Sequence, residues 1–185
     1  WDEAPFLLVQ GEIPAEVSLY AMRQMHRRQG LVICDPAPAS GITEEMLDEA
    51  DVVTPNEVEW KHLAKLPSDA DETAMLDALP LFFERHRSLR LVLLTRGEQG
   101  LWYCERGQTP QHYATPSVQA VDPTAAGDSF NGAWAFALQQ GLSWNEACIW
   151  AVRTAALAVT VAGALPSLPH LQDVERSFGP YPGIA

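Results

Sequence analysis

The chain has 185 residues, 24 acidic against 12 basic, for a formal charge of -12 with the histidines neutral. With 47% hydrophobic and 19% charged residues it can bury a sizeable core, which excludes disordered, collagen-like and coiled-coil classes. So acidic a chain repels phosphate backbones and anionic lipid at long range, and neither nucleic acid nor membrane is expected as a partner without a basic patch. The nearest such group, Arg23, His26, Arg27 and Arg28, reads as the solvated end of a helix.

Phe6 to Val9, apolar and closed by Gly11, reads as a buried strand. Pro14 to Arg28 comes next as a helix with apolar positions at Val17, Tyr20, Ala21 and Met25. Leu31 to Cys34 is a second strand, and Thr43 to Ala50 a short helix capped by Thr43, with Glu44 and Glu45 in its first turn. Asp51 to Thr54 gives a third strand, after which Asn56 begins a helix. Ser68 to His86 is a long helical stretch kinked or restarted at Pro80, and Arg90 to Thr95 is the most β-like run. Continuous apolar strands alternating with helices imply a parallel sheet covered on both faces. Gly100 to Cys104 and Gln111 to Thr115, around a loop that begins at Glu105, read as an antiparallel edge hairpin. Helices over Ala126 to Gln140 and Trp144 to Val161 are apolar nearly all round, which places them inside. A short helix near His170 to Phe178 precedes the tail Gly179-Pro180-Tyr181-Pro182-Gly183. Without repeats or a linker, residues 1–185 read as one domain.

Cys34, Cys104 and Cys148 are odd in number and widely spaced, so the expected setting is a reducing cytoplasm without disulfides. The acidic start Trp1-Asp2-Glu3 does not read as a signal peptide, and no apolar run is long enough to span a membrane. A chain that opens on Trp1 and reaches a strand at once reads as part of a longer protein. His26, His62, His86, His112 and His170 share no metal-ligand spacing. Trp134 and Trp150 fall on the buried helices, where core packing is the simpler expectation than sugar stacking. The carboxylate pairs Glu44-Glu45 and Asp71-Glu72 suit helix first turns.

The informative stretch is Val121-Asp122-Pro123-Thr124-Ala125-Ala126-Gly127-Asp128-Ser129-Phe130-Asn131-Gly132-Ala133. Small residues where a loop turns into a helix let successive backbone N–H groups converge on an anion. Asp128 comes next, in the first turn. A carboxylate beside an anion site repels phosphate unless it has work there, and the natural work is taking a proton from a hydroxyl that attacks phosphorus. The spacing fits equally well an Asp128 that merely caps a buried helix.

This stretch resembles the second signature of the ribokinase family of carbohydrate kinases, D-T-x-G-A-G-D-x-F, in the Ala-Ala-Gly-Asp form of the ribokinase subgroup. Four further segments resemble family motifs in order. Asp35-Pro36-Ala37-Pro38-Ala39 is similar to N-P-A-P-A, with Asp for Asn. Thr54-Pro55-Asn56-Glu57-Val58-Glu59 contains N-x-x-E, Thr95-Arg96-Gly97-Glu98-Gln99-Gly100 is similar to the nucleotide loop T-L-G-x-x-G, and Gly163-Ala164-Leu165-Pro166-Ser167 resembles G-A-x-P-S. The resemblance covers nearly all of the chain. It implies a three-layer α/β/α fold with a mainly parallel sheet and an antiparallel edge hairpin, ATP and Mg²⁺ as cofactors, and activation by a monovalent cation, usually K⁺.

Residue by residue, the resemblance makes Asp128 the catalytic base, in contact with the sugar hydroxyl, and the amides of Ala125, Ala126 and Gly127 an anion hole. Asn56 would contact the phosphates, and Glu59 would organise Mg²⁺ through water. Capping is the competing account of both. Thr95, Arg96, Gly97, Glu98, Gln99, Gly100 and Gly127 would line the nucleotide, although a plain strand-to-hairpin turn also explains the glycines. Asp122, Thr124, Ala158, Val161, Gly163 and Ser167 correspond to the monovalent-cation site, against the alternative of an ordinary helix C-terminus closed by Gly163. Pro123 stands where the family has a hydroxyl residue and removes a backbone donor. Val152 stands where the family tends to place a polar residue toward adenine.

Family members also carry, upstream, a half with a glycine-rich sugar-contacting motif and a small β lid that covers the sugar and often mediates homodimerisation; this sequence has neither. The expected activity is γ-phosphate transfer to a primary hydroxyl, with O5 of D-ribose the leading acceptor and fructose, a keto-deoxy sugar acid or a nucleoside the others. A truncated member that binds nucleotide or a protein partner without catalysis is the second expectation.

Overall fold

A computed structural model describes residues 4–181. Trp1-Asp2-Glu3 and the tail residues Pro182 and Gly183 lie outside them. The chain divides into two compact units, one comprising Trp1–Arg96 with Trp102–His112, the other Gly97–Leu101 with Tyr113–Ala185.

The strands form one sheet in sequence order: β1 (Phe6–Val9), β2 (Leu31–Cys34), β3 (Val52–Val53), β4 (Leu91–Thr95), β5 (Leu101–Glu105) and β6 (Gln111–Tyr113). The first four are parallel, with Val9 opposite Cys34, Cys34 opposite Val53 and Val53 opposite Val92. Val32, Ile33, Cys34, Val52, Val53 and Leu91–Leu94 are wholly buried, as strands covered on both faces require. A turn closed by Gln108 N–H on the Glu105 carbonyl, 3.0 Å, joins β5 to β6 as the edge hairpin.

In the first unit, α1 (Ala15–Arg27) buries Ser18, Leu19, Met22 and Met25. The expected face is thereby corrected: Val17 and Tyr20 are exposed, because the run through Leu19 and Met22 to Met25 carries more apolar surface to the sheet. Nor is the end of α1 simply solvated. Arg23 Nε donates to Glu49 at 2.8 Å, and His26 lies 3.3 Å from Glu49 and 3.2 Å from Asp51. Helix α2 (Glu44–Asp48) is capped by Thr43 as expected. Helix α3 spans Glu57–Leu63. The long helical stretch is two helices, α4 (Glu72–Asp77) behind an Asp71 cap and α5 (Leu79–Arg85) with Pro80 in its first turn. Their core is Trp60 edge-on to Phe82 at 4.8 Å, with the indole N–H on the Met75 carbonyl at 3.0 Å.

The second unit holds α6 (Ala126–Gln139), α7 (Trp144–Ala158), α8 (Ala164–Ser167) and α9 (Leu171–Phe178). Trp134, Trp150 and Tyr181 are buried among them, with Trp150 and Tyr181 edge-on at 4.7 Å. Phe136 and Ile149 are exposed, so these helices are not covered all round within the described residues. Helix α7 stops at Ala158 rather than Val161, and neither α8 nor the 3₁₀ turns Ala39–Gly41 and Gly97–Gln99 were expected from periodicity, which needs more than one turn to register. All three cysteines are buried and free. Among the described residues no helix is long and apolar enough to cross a membrane.

Where β1 and β2 end, backbone lies against backbone. A Cβ on Gly41 would run into the Gly11 carbonyl, and one on Gly11 into the Pro38 carbonyl. Gly41→Ala should therefore lower unfolding stability by about 2 kcal/mol or more, read as the urea midpoint. An unchanged midpoint would mean that this contact relaxes freely.

Candidate active site

Parallel strands bring the residues at their carboxyl ends to one edge of a sheet. Beyond β1, β2 and β3 stand Gln10, Asp35 and Asn56 with Glu59, and Thr95 is the last residue of β4. Gln10 donates to Asp35 at 2.9 Å. Asn56 caps α3: its Oδ1 accepts from Glu59 N–H at 2.9 Å, while Glu59 Oε2 accepts from Asn56 N–H at 2.8 Å. The two motif residues are thus locked to each other by a capping box. Thr95 is bridged to Asn56, with its N–H 2.9 Å from the Pro55 carbonyl. Half-burial, aided by the charge of Asp35, raises the Glu59 pKa above the usual carboxylate value. The sequence alone gives Asp35 no role beyond its motif match, and Gln10 none at all. Their signal is position directly after adjacent strands.

Arg96 does not present its guanidinium to solvent. The side chain is 10% exposed and binds Glu72 through Nη1 and Glu57 through Nη2, the latter at 3.4 Å. Glu72, expected to serve only the first turn of α4, also accepts from the Trp102 indole at 3.3 Å.

In the second unit, Asp122 gathers its loop. Its carboxylate accepts from Thr124 N–H at 2.9 Å and from Gly163 N–H at 2.8 Å. The N–H groups of Val121 and Asp122 both donate to the Val159 carbonyl, at 2.7 and 3.1 Å. Asp122, Thr124 and Gly163 are thereby brought together. Gly163, with φ 87°, precedes α8 and does not close α7. Ser167 is buried and bonds to the Ala164 carbonyl at 2.8 Å, Ala158 is buried, and Val161 is exposed. Pro123 suits the first bend of this Asx turn, where its missing N–H is not called upon. A hydrogen bond with the Thr124 side chain foremost, then those from the Gly163 and Thr124 N–H groups, pull the Asp122 pKa down to about 2.

Ala125 stands at the cap of α6 in the left-handed region, φ 62° and ψ 13°, with no side-chain hydrogen bond at the cap. A left-handed residue followed by a right-handed one turns consecutive N–H groups toward one point, a nest for anions. Of the three expected amides, Ala126 N–H already reaches the Pro123 carbonyl at 3.2 Å. Gly127 is exposed, its φ is not positive, and a Cβ added to it meets no protein atom within 4 Å. Asp128, exposed, is the third residue of α6 and not its cap. Ser129 and Asn131 are buried behind it. Val152 is buried in α7. Among the described residues no three His, Cys, Asp or Glu side chains are grouped to hold a metal.

The first unit is thus of the α/β class with a largely parallel sheet, and α6 in the second opens on a left-handed turn with a carboxylate in its first turn. The profile of the pfkB family carbohydrate kinases matches residues 3–171, and the chain belongs to this family. A ribokinase of Haemophilus influenzae is 36% identical over 169 residues, 90% of this chain and 53% of that protein. The ribokinase structure of Thermotoga maritima superposes with a TM-score of 0.81 at 39% identity, over 92% of this chain and 55% of its own. The ribokinase of Arabidopsis thaliana, solved with ribose and ATP, gives 0.84 at 29% identity, over 95% and 56%. The chain spans about half the length of the curated relatives it matches.

Two of the shifted carboxyls, those of Asp122 and Glu59, act oppositely on stability. Asp122, its folded pKa depressed, contributes stability that is present above its unfolded value of 3.8 and lost as pH falls toward about 2. Glu59, its folded pKa raised above 4.5, opposes folding once ionised. Urea titrations at several pH values should show Asp122→Asn destabilising at neutral pH with a gap that closes in acid. Glu59→Gln should be neutral or stabilising at neutral pH. The reverse order would refute both assignments.

Proposed function

We propose that the chain is the C-terminal catalytic and nucleotide-binding part of an ATP-dependent sugar kinase that transfers the γ-phosphate to a primary hydroxyl, with D-ribose as acceptor and D-ribose 5-phosphate as product. The observation that carries this reading is Gly127 between left-handed Ala125 and Asp128. Glycine costs a helix about 1 kcal/mol relative to alanine. Here neither backbone conformation nor packing requires it, so the open space is best explained by an anion that approaches the backbone.

Asp128 takes the proton of the acceptor hydroxyl as it attacks phosphorus, and the N–H groups of the nest, Ala125 and Gly127 first, receive the charge that develops on the transferred group. Ala126 joins them if its turn bond to Pro123 opens. Asn56, Thr95 and the Gly97–Gly100 turn serve the nucleotide. Glu59 holds Mg²⁺ through water, which suits a single half-buried carboxylate. Bound Mg²⁺ neutralises phosphate charge. K⁺ is proposed for the loop of Asp122, Thr124, Ala158, Val161, Gly163 and Ser167, where the anionic Asp122 and the chain's turns supply oxygen. Free, buried thiols suit a cytoplasmic setting.

On the full-length gene product, Asp128→Asn should lower turnover of D-ribose by about 10²–10⁴-fold while MgATP affinity is kept; retained turnover sinks the role of Asp128. Gly127→Ala should hold or raise stability by about 0.5–1 kcal/mol and yet depress turnover. If it instead left turnover intact, the nest would not be the anion site. Parallel assays with D-fructose test the acceptor.

A further inference from the structure

We infer that Arg96 is a positioning residue: paired with Glu57 and Glu72, it fixes the end of β4 against the start of α3 and offsets one of their two negative charges beside Asn56, Glu59 and Thr95, the residues proposed for MgATP. The inference rests on the proposed nucleotide role of those residues. Arg96 stands where the T-L-G-x-x-G pattern has leucine, and its surroundings are built for a cation. Glu57 is the first residue of α3 and Glu72 the first of α4, so a single guanidinium ties two helix N-termini to β4. Trp102 donates to the same Glu72 at 3.3 Å.

A buried guanidinium is stable only while its carboxylates stay in place. Arg96 Nε is itself buried without a partner, so the two carboxylates carry the whole compensation. The neighbouring Thr95 grips the same segment from the other side, its N–H 2.9 Å and its hydroxyl 3.4 Å from the Pro55 carbonyl. Between these contacts the capping pair Asn56 and Glu59 cannot shift relative to Thr95 without breaking the cluster. The charge argument is independent. Glu57, Glu59 and Glu72, with Asp35 acting on Glu59, would together repel a polyphosphate, and Arg96, paired with two of them, offsets one of these charges.

The test is MgATP affinity by calorimetry at two salt concentrations, on the unsubstituted chain, R96L, R96K and the triple variant R96L/E57Q/E72Q, with hydrogen exchange at the Thr95 amide. R96L should weaken binding about tenfold, more at low salt than at high salt, and speed exchange at Thr95. R96K should recover part of the affinity. The triple variant, which leaves no carboxylate unpaired, should return to within about threefold of the unsubstituted affinity, and it keeps the test open if R96L fails to fold. A triple variant as weak as R96L overturns the inference in favour of direct contact between Arg96 and nucleotide. R96L that binds and exchanges like the unsubstituted chain also overturns it. No binding by the unsubstituted chain overturns the nucleotide reading and this inference with it, an outcome distinct from binding that R96L leaves untouched.

Discussion

The parallel register of β1 to β4 is the constraint on which the first unit depends. Strands buried on both faces have no room for polar side chains along their length, and Val32 to Cys34, Val52, Val53 and Leu91 to Leu94 carry none. Polar residues therefore collect where strands end, and parallel pairing puts all four carboxyl ends on one edge. Gln10, Asp35, Asn56 and Thr95 are there because of register, with Cys34 opposite Val53 and Asn56 bridged to Thr95. The backbone contact between Gly11 and Gly41 lets the loops after β1 and β2 lie close enough for Gln10 to reach Asp35.

The second unit solves a different problem. A helix start has unpaired N–H groups, and a nest needs a left-handed residue in front of them. Ala125 takes that conformation although its Cβ disfavours it by about 1–2 kcal/mol. The turn before it is held by Asp122, which receives N–H groups from Thr124 and from Gly163, far along the chain. Low carboxyl pKa and fixed loop share an origin: Thr124, through its side chain foremost and also its N–H, and the Gly163 N–H keep Asp122 ionised and hold the loop in place.

Strands and most helices were legible because their signals are local. Phe6–Val9 and Leu31–Cys34 are apolar runs between breakers, and Thr43, Asn56 and Asp71 are cap residues at the starts of helices. The candidate site was legible as motifs, since Gly127-Asp128 and Asn56–Glu59 each lie within one turn. What escaped was of two kinds. Where two apolar faces compete, as on α1, periodicity alone does not say which meets the sheet, so Val17 and Tyr20, expected inward, lie outward. Contacts distant in sequence were invisible: Arg96 with Glu57 and Glu72, Asp122 with Gly163, His26 with Glu49 and Asp51.

By itself the sequence determined the alternation of strand and helix, the caps, and the small-residue turn into α6 with the carboxylate after it, because backbone propensity and hydrophobic period act over a few residues. Only the tertiary structure decided that Arg96 is enclosed by carboxylates, that Asp122 is tied to the turn before α8, that Ala125 is left-handed, and that α7 stops at Ala158. Each of those depends on which distant groups meet once strands are paired and helices packed, and no local pattern encodes that meeting.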